Sequence, residues 1–479
     1  MPPKLDLLLI NPGSFSSIYS QVGSLACLAP PIGLALIAAF VKSKGFSVEI
    51  LDAEALNLSP DDVCRFIEAK VPLLVGLTAT TSKMTAACEI IEIVKSKNSS
   101  IKIIIGGHHA ASLPEKTLLE TKVDFVCNCE GFHPVTELMQ TLKYDYSACE
   151  FNIKGLCYRN DKNEVVVNAP AELITNLDEL PLTAWELLPM DRYRAHNWHC
   201  FGYESRTPYA VIASSLGCPY SCSYCSVNAV YKKHSFRTWS PKRFVEEIEI
   251  LYKVYKVKHI EIVDDTFTVN KARVHEICDL IIQKGIKINF WAYARTDTVD
   301  QALLIKMKQA GINWIAYGFE SGNTAVRNSV NKSQSQIMNA VEMTYNAGQN
   351  IISNFIFGLP DDNFQTMQDT LDLALQINAE YTNLYCAMAY PGSELYRTAV
   401  SNNLKLPEVW HGYSQYAYET LPLATKYISG GEVLKFRDEA FIKYFSNPRY
   451  LDKIEKKFGF ETRNSIMKML QKTLKRKYY

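Results

Sequence analysis

Ser214-Ser-Leu-Gly-Cys218-Pro-Tyr-Ser-Cys222-Ser-Tyr-Cys225 places three cysteines in a CxxxCxxC spacing directly behind the apolar run Tyr209 to Ala213. Three thiols in so short a loop point to a metal. Structural zinc sites close with four ligands, usually two CxxC-type knuckles or a Cys/His pair further along the chain. No fourth ligand follows here at a suitable distance, and His234, the nearest candidate, reads as a surface histidine. Three cysteines on a four-iron cluster instead leave one iron open to a ligand. The competing explanation is chance clustering, because the chain carries 13 cysteines.

On either side of the loop, from Thr207 onward, apolar runs alternate with helix-like stretches. Strands are expected at Tyr209 to Ala213, His259 to Val263, Lys287 to Trp291, Trp314 to Phe319, Ile351 to Phe357 and Tyr381 to Cys386. Helices are expected at Pro241 to Tyr255, Lys271 to Lys284, Val299 to Gln309, Ser335 to Asn346 and Phe364 to Ile377, with proline at an entry and glycine after two exits. Six strand–helix units close only part of an eight-stranded barrel. Barrels carry their chemistry at the carboxyl ends of the strands. Those ends read Asp264-Asp265-Thr266-Phe267, Arg295-Thr-Asp297, Gly318-Phe-Glu320-Ser321-Gly322 and Gly358-Leu-Pro360.

The N-terminal third has the same rhythm. Apolar runs at Leu5 to Ile10, Ser47 to Leu51, Leu73 to Leu77, Ile101 to Ile105 and Asp124 to Val126 alternate with helices at Ile32 to Lys44, Pro60 to Ala69 and Lys83 to Lys97. Continuous β-branched runs of this kind predict a parallel sheet covered on both faces, with ligands beyond the strand carboxyl ends. Small, polar or glycine residues stand at those ends, among them Thr78 and Gly106-Gly107-His108-His109. Between the two series, a hairpin is expected from Ile153 to Arg159 and Val165 to Val167 around Asn160-Asp-Lys-Asn, in a connector whose Trp185 reads as core. After about Asn403 come an aromatic loop with Trp410, Tyr413, Tyr416 and Tyr418, then helices at Glu432 to Phe445, Tyr450 to Lys457 and Arg463 to Lys477. The basic end, Lys472-Thr-Leu-Lys-Arg-Lys, reads as a solvated helix face, with anionic-membrane contact as the alternative.

The division expected is 1–146, 147–202, 203–402 and 403–479. With 479 residues, 47% hydrophobic and 21% charged, the chain is an ordinary globular composition of about three domains. A net charge of +1 gives no sign of a nucleic-acid partner. Scattered cysteines without a secretory leader fit reduced thiols in the cytoplasm. The uncharged stretch Ser14 to Val41 is interrupted by Pro30-Pro31 and Gly33, so it reads as a loop feeding a buried helix and not a transmembrane span.

Taken together, CxxxCxxC and the strand-end motifs resemble the cobalamin-binding radical S-adenosylmethionine (SAM) family. The N-terminal blocks Ala29-Pro-Pro-Ile-Gly-Leu-Ala-Leu-Ile-Ala-Ala, Gly107-His-His-Ala-Ala-Ser-Leu-Pro-Glu and Cys129-Glu-Gly-Phe look like its cobalamin domain. The resemblance implies a flavodoxin-like cobalamin domain, a partial (β/α)6 radical SAM barrel and a mostly helical C-terminal region. It implies a 4Fe-4S cluster on Cys218, Cys222 and Cys225. SAM would contact Tyr224, Asp264, Arg295, Glu320 and Ser321, with Asp265 a candidate at the substrate. Cobalamin would contact Thr78, Gly106, Gly107, His109, Glu130 and Gly131. The chain departs from the family's GEGE block, reading Cys129-Glu130-Gly131-Phe132, and has Asn11-Pro-Gly-Ser-Phe-Ser where DxHxxG would supply a histidine lower ligand. The implied activity is methylation of an unactivated carbon or phosphorus centre of a small molecule, lipid or natural-product intermediate, through a deoxyadenosyl radical and methylcobalamin. Cyclisation or rearrangement without methyl transfer is one alternative, and a non-catalytic cobalamin or iron–sulfur sensor another. An electron donor such as flavodoxin or ferredoxin is the implied partner.

Overall fold

The computed structural model describes residues 5–14, 18–19, 22–144, 151–331 and 336–479. Strands β1 (Leu5–Asn11), β2 (Val48–Asp52), β3 (Pro72–Thr78), β4 (Lys102–Gly106) and β5 (Phe125–Cys127) form a parallel sheet in the order β2-β1-β3-β4-β5. Successive residues of each strand enter opposite apolar layers. Leu8, Ile10, Val75, Leu77, Ile103 and Ile105 build one, and Leu7, Leu9, Leu74 and Ile104 the other. Burial on both faces is why these strands read as continuous apolar runs. Each such aliphatic side chain contributes about 1.5–3 kcal/mol when fully buried. The helix Pro60–Lys70 between β2 and β3 starts at a capping box in which Ser59 and Asp62 satisfy each other's backbone N–H.

The expected hairpin forms as β6 (Leu156–Arg159) and β7 (Val165–Val167), yet it is no free connector. β6 pairs antiparallel with β5, so the hairpin completes the first sheet as its last two strands. Without it β5 would be an edge with unpaired backbone groups. The expected boundary between residues 146 and 147 lies outside the described residues.

The second sheet contains β8 (Tyr209–Ile212), β11 (His259–Ile262), β12 (Asn289–Ala294), β13 (Ile312–Glu320), β14 (Asn350–Phe357) and β15 (Tyr381–Cys386), all parallel and hydrogen-bonded in chain order. Two short strands, β9 (Ser215–Leu216) and β10 (Arg237–Thr238), form an antiparallel ribbon that carries the cysteine loop between them. Ser240, Asn270, Asp300 and Asn363 each accept a first-turn N–H of the helix that follows, a cap of about 1 kcal/mol apiece. The helix expected from Ser335 begins at Ile337, with Gln336 as its N-terminal cap position, and Ser335 lies outside the described residues.

A shared core joins the two sheets. Leu36 and Phe40 of the helix Ile32–Ser43 belong to the same apolar cluster as Phe244 and Ile248 of the helix Pro241–Lys253. Trp185 lies in this cluster as expected, and its Nε1 donates to Glu247 Oε2 at 2.8 Å while Thr183 N donates to Oε1 at 2.7 Å. The C-terminal end departs from the sequence reading. The last helix spans Phe460–Leu470, and the basic run beyond it packs down irregularly. Arg476, with only 1% of its side chain exposed, pairs with Asp438 at 2.9 Å and donates to Ala417 O and Gln415 O. The half-buried Asp438 carboxylate requires a cation, and Arg476 answers it with both ends of its planar fork. No helix among the described residues is long and apolar enough to cross a membrane.

Candidate active site

Cys222 and Cys225 open onto a cavity of about 380 Å³ that is also lined by Ala111 and Ser112, on the helix that follows the Gly106-Gly107 turn. Burial raises the Cys218 thiol, and pushes Cys225 up to about 12, with the charge of Asp265 adding to both. Three cysteines free of disulfides in one loop, two of them lining the cavity, fit a cluster that would ligate them as thiolates and supply the balancing positive charge. His234 is exposed and its Nδ1 lies 2.9 Å from Asn228 Nδ2, as a surface histidine would.

Four of the residues expected at SAM or substrate gather around this loop. The Arg295 guanidinium lies 3.9 Å from the ring centre of Tyr220, between the first two cysteines, and donates through Nε and Nη2 to Asp297 at 2.9 and 2.7 Å. Burial opposes its charge, but Asp297 outweighs burial and raises its pKa. Tyr224 hydrogen-bonds to Glu320, and burial with that carboxylate's charge raises its phenol. Glu320 itself is buried at 6% exposure with φ +65°, where the pairing of β13 with β14 shifts register. A non-glycine residue in the left-handed region marks stored strain of a kind found at functional sites. Asp265 is open to the cleft and faces Cys218 and Cys225; burial of its surroundings and the charge of Asp264 raise it to about 7.

Two other residues expected at SAM are engaged by partners within the protein. Asp264 is 1% exposed, and its two oxygens accept from the N–H and hydroxyl groups of Ser214 and Ser215 at 2.6–3.2 Å. It clamps the start of the cysteine loop, with each carboxylate oxygen accepting two hydrogen bonds. Ser321 is fully buried, with Oγ 3.1 Å from Thr370 Oγ1 and accepting from Asn323 N, so it fastens the end of β13 to the helix Phe364–Ile377.

On the first sheet, Gly107 has φ +97°, and a Cβ there would stand 2.8 Å from Ala79 O and 3.0 Å from Thr78 Oγ1. Only glycine lets this turn press against the end of β3. Thr78, Gly106 and Gly107 remain half-buried at the opening, an uncharged cradle that fits the amide-rich edge of a corrin. His109 turns away from that opening. It is 1% exposed, 3.3 Å from Thr81 Oγ1 and edge-on to Trp410 at 4.4 Å, and burial lowers its pKa to about 4. The exposed neighbour is His108, kept toward its neutral form by its surroundings. Glu130 is likewise engaged elsewhere, because Arg237 Nη1 and Nη2 grip its carboxylate at 3.1 and 2.5 Å and tie the first sheet to the cysteine ribbon. A Cβ on Gly131 would come within 3.0 Å of Ile37 Cδ1, which makes Gly131 a packing position.

A feature absent from the sequence reading lies inside the curled sheet. Inward-facing Trp291, Tyr293, Asn354, Tyr381, Asn383 and Tyr385 line a cavity of about 520 Å³, closed by Tyr19, Trp198, Tyr416 and the helix Gly430–Phe445. Asn383 Nδ2 donates to Asn354 Oδ1, and Asn354 Nδ2 to Tyr317 O, both at 2.9 Å. Of the aromatic loop, Tyr416 lines the cavity, Trp410 stacks on Tyr413 at 6.0 Å, and Tyr418 is exposed. Alternation of tyrosine and amide residues with smaller, buried ones, as in Tyr381-Thr-Asn383-Leu-Tyr385-Cys, is the signal that could have found this wall.

A B12 binding domain family matches residues 22–139, and the radical SAM superfamily matches residues 212–374. An uncharacterised methyltransferase of Pyrococcus horikoshii is 31% identical over 473 residues, 98% of each chain. The anaerobic magnesium-protoporphyrin IX monomethyl ester cyclase of Rubrivivax gelatinosus is 24% identical over 93% of this chain and 78% of its own. The radical SAM methyltransferase TsrM from Kitasatospora setae, solved with cobalamin and a [4Fe-4S] cluster, superposes with a TM-score of 0.70 at 15% identity, covering 92% of this chain and 89% of that one.

Proposed function

This chain belongs to the cobalamin-binding radical SAM family, and on that premise we propose that it methylates an unactivated carbon or phosphorus centre of a small molecule held inside the barrel. When bound, the cluster with SAM supplies a deoxyadenosyl radical, and the corrin supplies a transferable methyl group. Cys218, Cys222 and Cys225 would hold the cluster at the cavity edge. Arg295, with Nε and Nη2 fixed by Asp297, would offer Nη1 to the methionine carboxylate. Glu320 would accept from a ribose hydroxyl or the SAM amine while Tyr224 orients it. Thr78, Gly106, Gly107 and His108 would border the corrin, with Asp265 on the side of the substrate. An external one-electron donor such as flavodoxin or ferredoxin, in a cytoplasm that keeps the thiols reduced, completes the requirements.

The observation that carries this reading is the aromatic cavity, whose Tyr293 stands two residues before Arg295 on the same strand end. Such a cavity would exclude water from a radical's neighbourhood and would hold the acceptor near the strand end that carries Arg295. Incubation of the reconstituted enzyme with deuteromethyl-SAM and candidate acceptors tests it. Label in the product is expected. Label-free product, together with methionine and deoxyadenosine, would replace methyl transfer by ring formation or rearrangement, the reading that the likeness to the anaerobic cyclase favours.

A further inference from the structure

Two clusters of mixed histidine and cysteine ligand types lie close together at the barrel, and only one is committed to hydrogen bonds. In the first, ligand atoms of His199, Cys200 and His259 lie within 4.8 Å of one another, all buried. There His259 uses Nε2 on Ser205 O at 2.9 Å and Nδ1 on Asn289 Nδ2 at 3.2 Å, and His199 Nε2 sits 3.1 Å from Asn289 O. Three of its four ring nitrogens are thus engaged and only His199 Nδ1 lacks a partner among the described residues, so that cluster serves chiefly to hold the fold.

In the second, ligand atoms of Cys27, His196 and Glu261 also lie within 4.8 Å of one another, but all three are half-exposed. Among the described residues, the Cys27 thiol, the His196 ring nitrogens and Glu261 Oε1 make no hydrogen bond. The cluster is nonetheless held firmly. A two-residue bridge, Leu28 N to Arg194 O at 2.9 Å and Arg194 N to Leu28 O at 3.1 Å, sets the chain around Cys27 beside the chain around His196. Arg206 staples the same two segments by donating to Ala26 O and Ala195 O at 2.7 and 2.6 Å. The His196 ring stacks on Trp198 at 5.0 Å and 15°, and Tyr209 OH fixes Glu261 Oε2 at 2.5 Å. Such contacts behind a ligand orient first-shell donors in metal centres.

We propose that Cys27, His196 and Glu261 form a second metal site, separate from the cysteine loop, that takes a borderline divalent cation such as zinc and leaves one coordination position open to the aromatic cavity. His196 lines that cavity directly. One thiolate, one imidazole and one carboxylate with an open fourth position is the donor count of substrate-binding zinc centres, in contrast to closed structural ones. Bonds of about 2.0–2.3 Å require ligand separations of about 3.5 Å, so separations of at most 4.8 Å close by no more than about an ångström on loading. Cys27 releases its proton to solvent as the ion binds, and the thiolate with Glu261 neutralises the dication. Burial and the charge of Glu261 raise the Cys27 thiol, and Arg206, whose donors point at carbonyl oxygens, opposes them only in part, so the ion itself supplies the charge that holds the thiolate. The open position takes an electron-pair donor of the molecule in the cavity, a carboxylate, thiolate or ring nitrogen, and so anchors the end of the substrate away from the strand ends.

The test is made on holoenzyme carrying iron and corrin, dialysed against zinc. Elemental analysis is expected to find one zinc per chain, and zinc X-ray absorption one sulfur neighbour with nitrogen or oxygen neighbours. Cys27→Ser and His196→Ala each remove that zinc. Tyr209→Phe, which frees Glu261 to turn, weakens zinc binding about 10–100-fold without removing a ligand. Cys218→Ala loses iron and keeps zinc. Absence of a zinc equivalent in the holoenzyme, or a zinc equivalent that survives both Cys27→Ser and His196→Ala, overturns the site. SAM cleavage measured on the same samples reports separately on the methyl-transfer reading, which stands or falls without this ion.

Discussion

The two parallel sheets follow one strand–helix alternation and reach opposite results. Every residue of β1 is buried, whereas β15 alternates half-buried Tyr381, Asn383 and Tyr385 with buried Thr382, Leu384 and Cys386. A sheet covered on both faces by aliphatic layers has only its strand ends to offer a ligand, and there the chain places small residues and a positive-φ glycine. A curled sheet has an inner face as well, so its strands carry a wall of side chains beneath their ends. One sheet therefore cradles through backbone, and the other lines and selects through side chains.

That contrast breaks first at the cysteine loop. Cys218→Ala is expected to abolish iron content and SAM cleavage while corrin still binds the first sheet; loss of both cofactors together would mean that the two sheets do not act as separate holders. Next in size is the bridge between them. Arg237→Ala leaves Glu130, 11% exposed, without its partner, and thermal unfolding should show a loss of about 3–5 kcal/mol. A Glu130→Gln, Arg237→Met double variant, which removes both charges, should recover most of it.

His109 provides the pH arm. Its folded pKa of about 4 lies below the ordinary histidine value of 6.5, so the unfolded chain binds the extra proton between those values. Stability from this group is complete above pH 6.5 and is lost as pH falls toward 4, by about 3 kcal/mol. A His109→Gln variant should flatten that part of a melting-temperature profile, and an unchanged slope would place the histidine in a more open setting. The smallest expected effect is at Gly107. Gly107→Ala meets Ala79 O and should cost about 1–3 kcal/mol, with corrin occupancy falling and the iron content unchanged.

Much of this architecture is legible in one dimension. The strand–helix order of both sheets follows from apolar runs, caps and glycine stops, and CxxxCxxC with the strand-end motifs pointed to the residues that surround Arg295 and Glu320. Sequence alone could not separate neighbouring residues of one motif that point in opposite directions. Asp264 and Asp265 are adjacent, yet the first is saturated by Ser214 and Ser215 and the second faces the thiols. His108 and His109 divide in the same manner between cleft and core. The basic tail misled for a related reason, since a run of cations gives no sign that Arg476 meets Asp438 across the fold.

The sequence by itself determined the local terms: which stretches can bury both faces, where a chain must turn on glycine, and that three thiols share one loop. These depend on periodicity and on residue chemistry within a few positions. Only the tertiary structure decided which side chains are consumed by partners distant in sequence and which remain open. The aromatic lumen, the Glu130–Arg237 bridge and the convergence of Cys27, His196 and Glu261 arise when three-dimensional packing brings segments from different parts of the chain within hydrogen-bond and ligand distance, and no spacing along one strand records them.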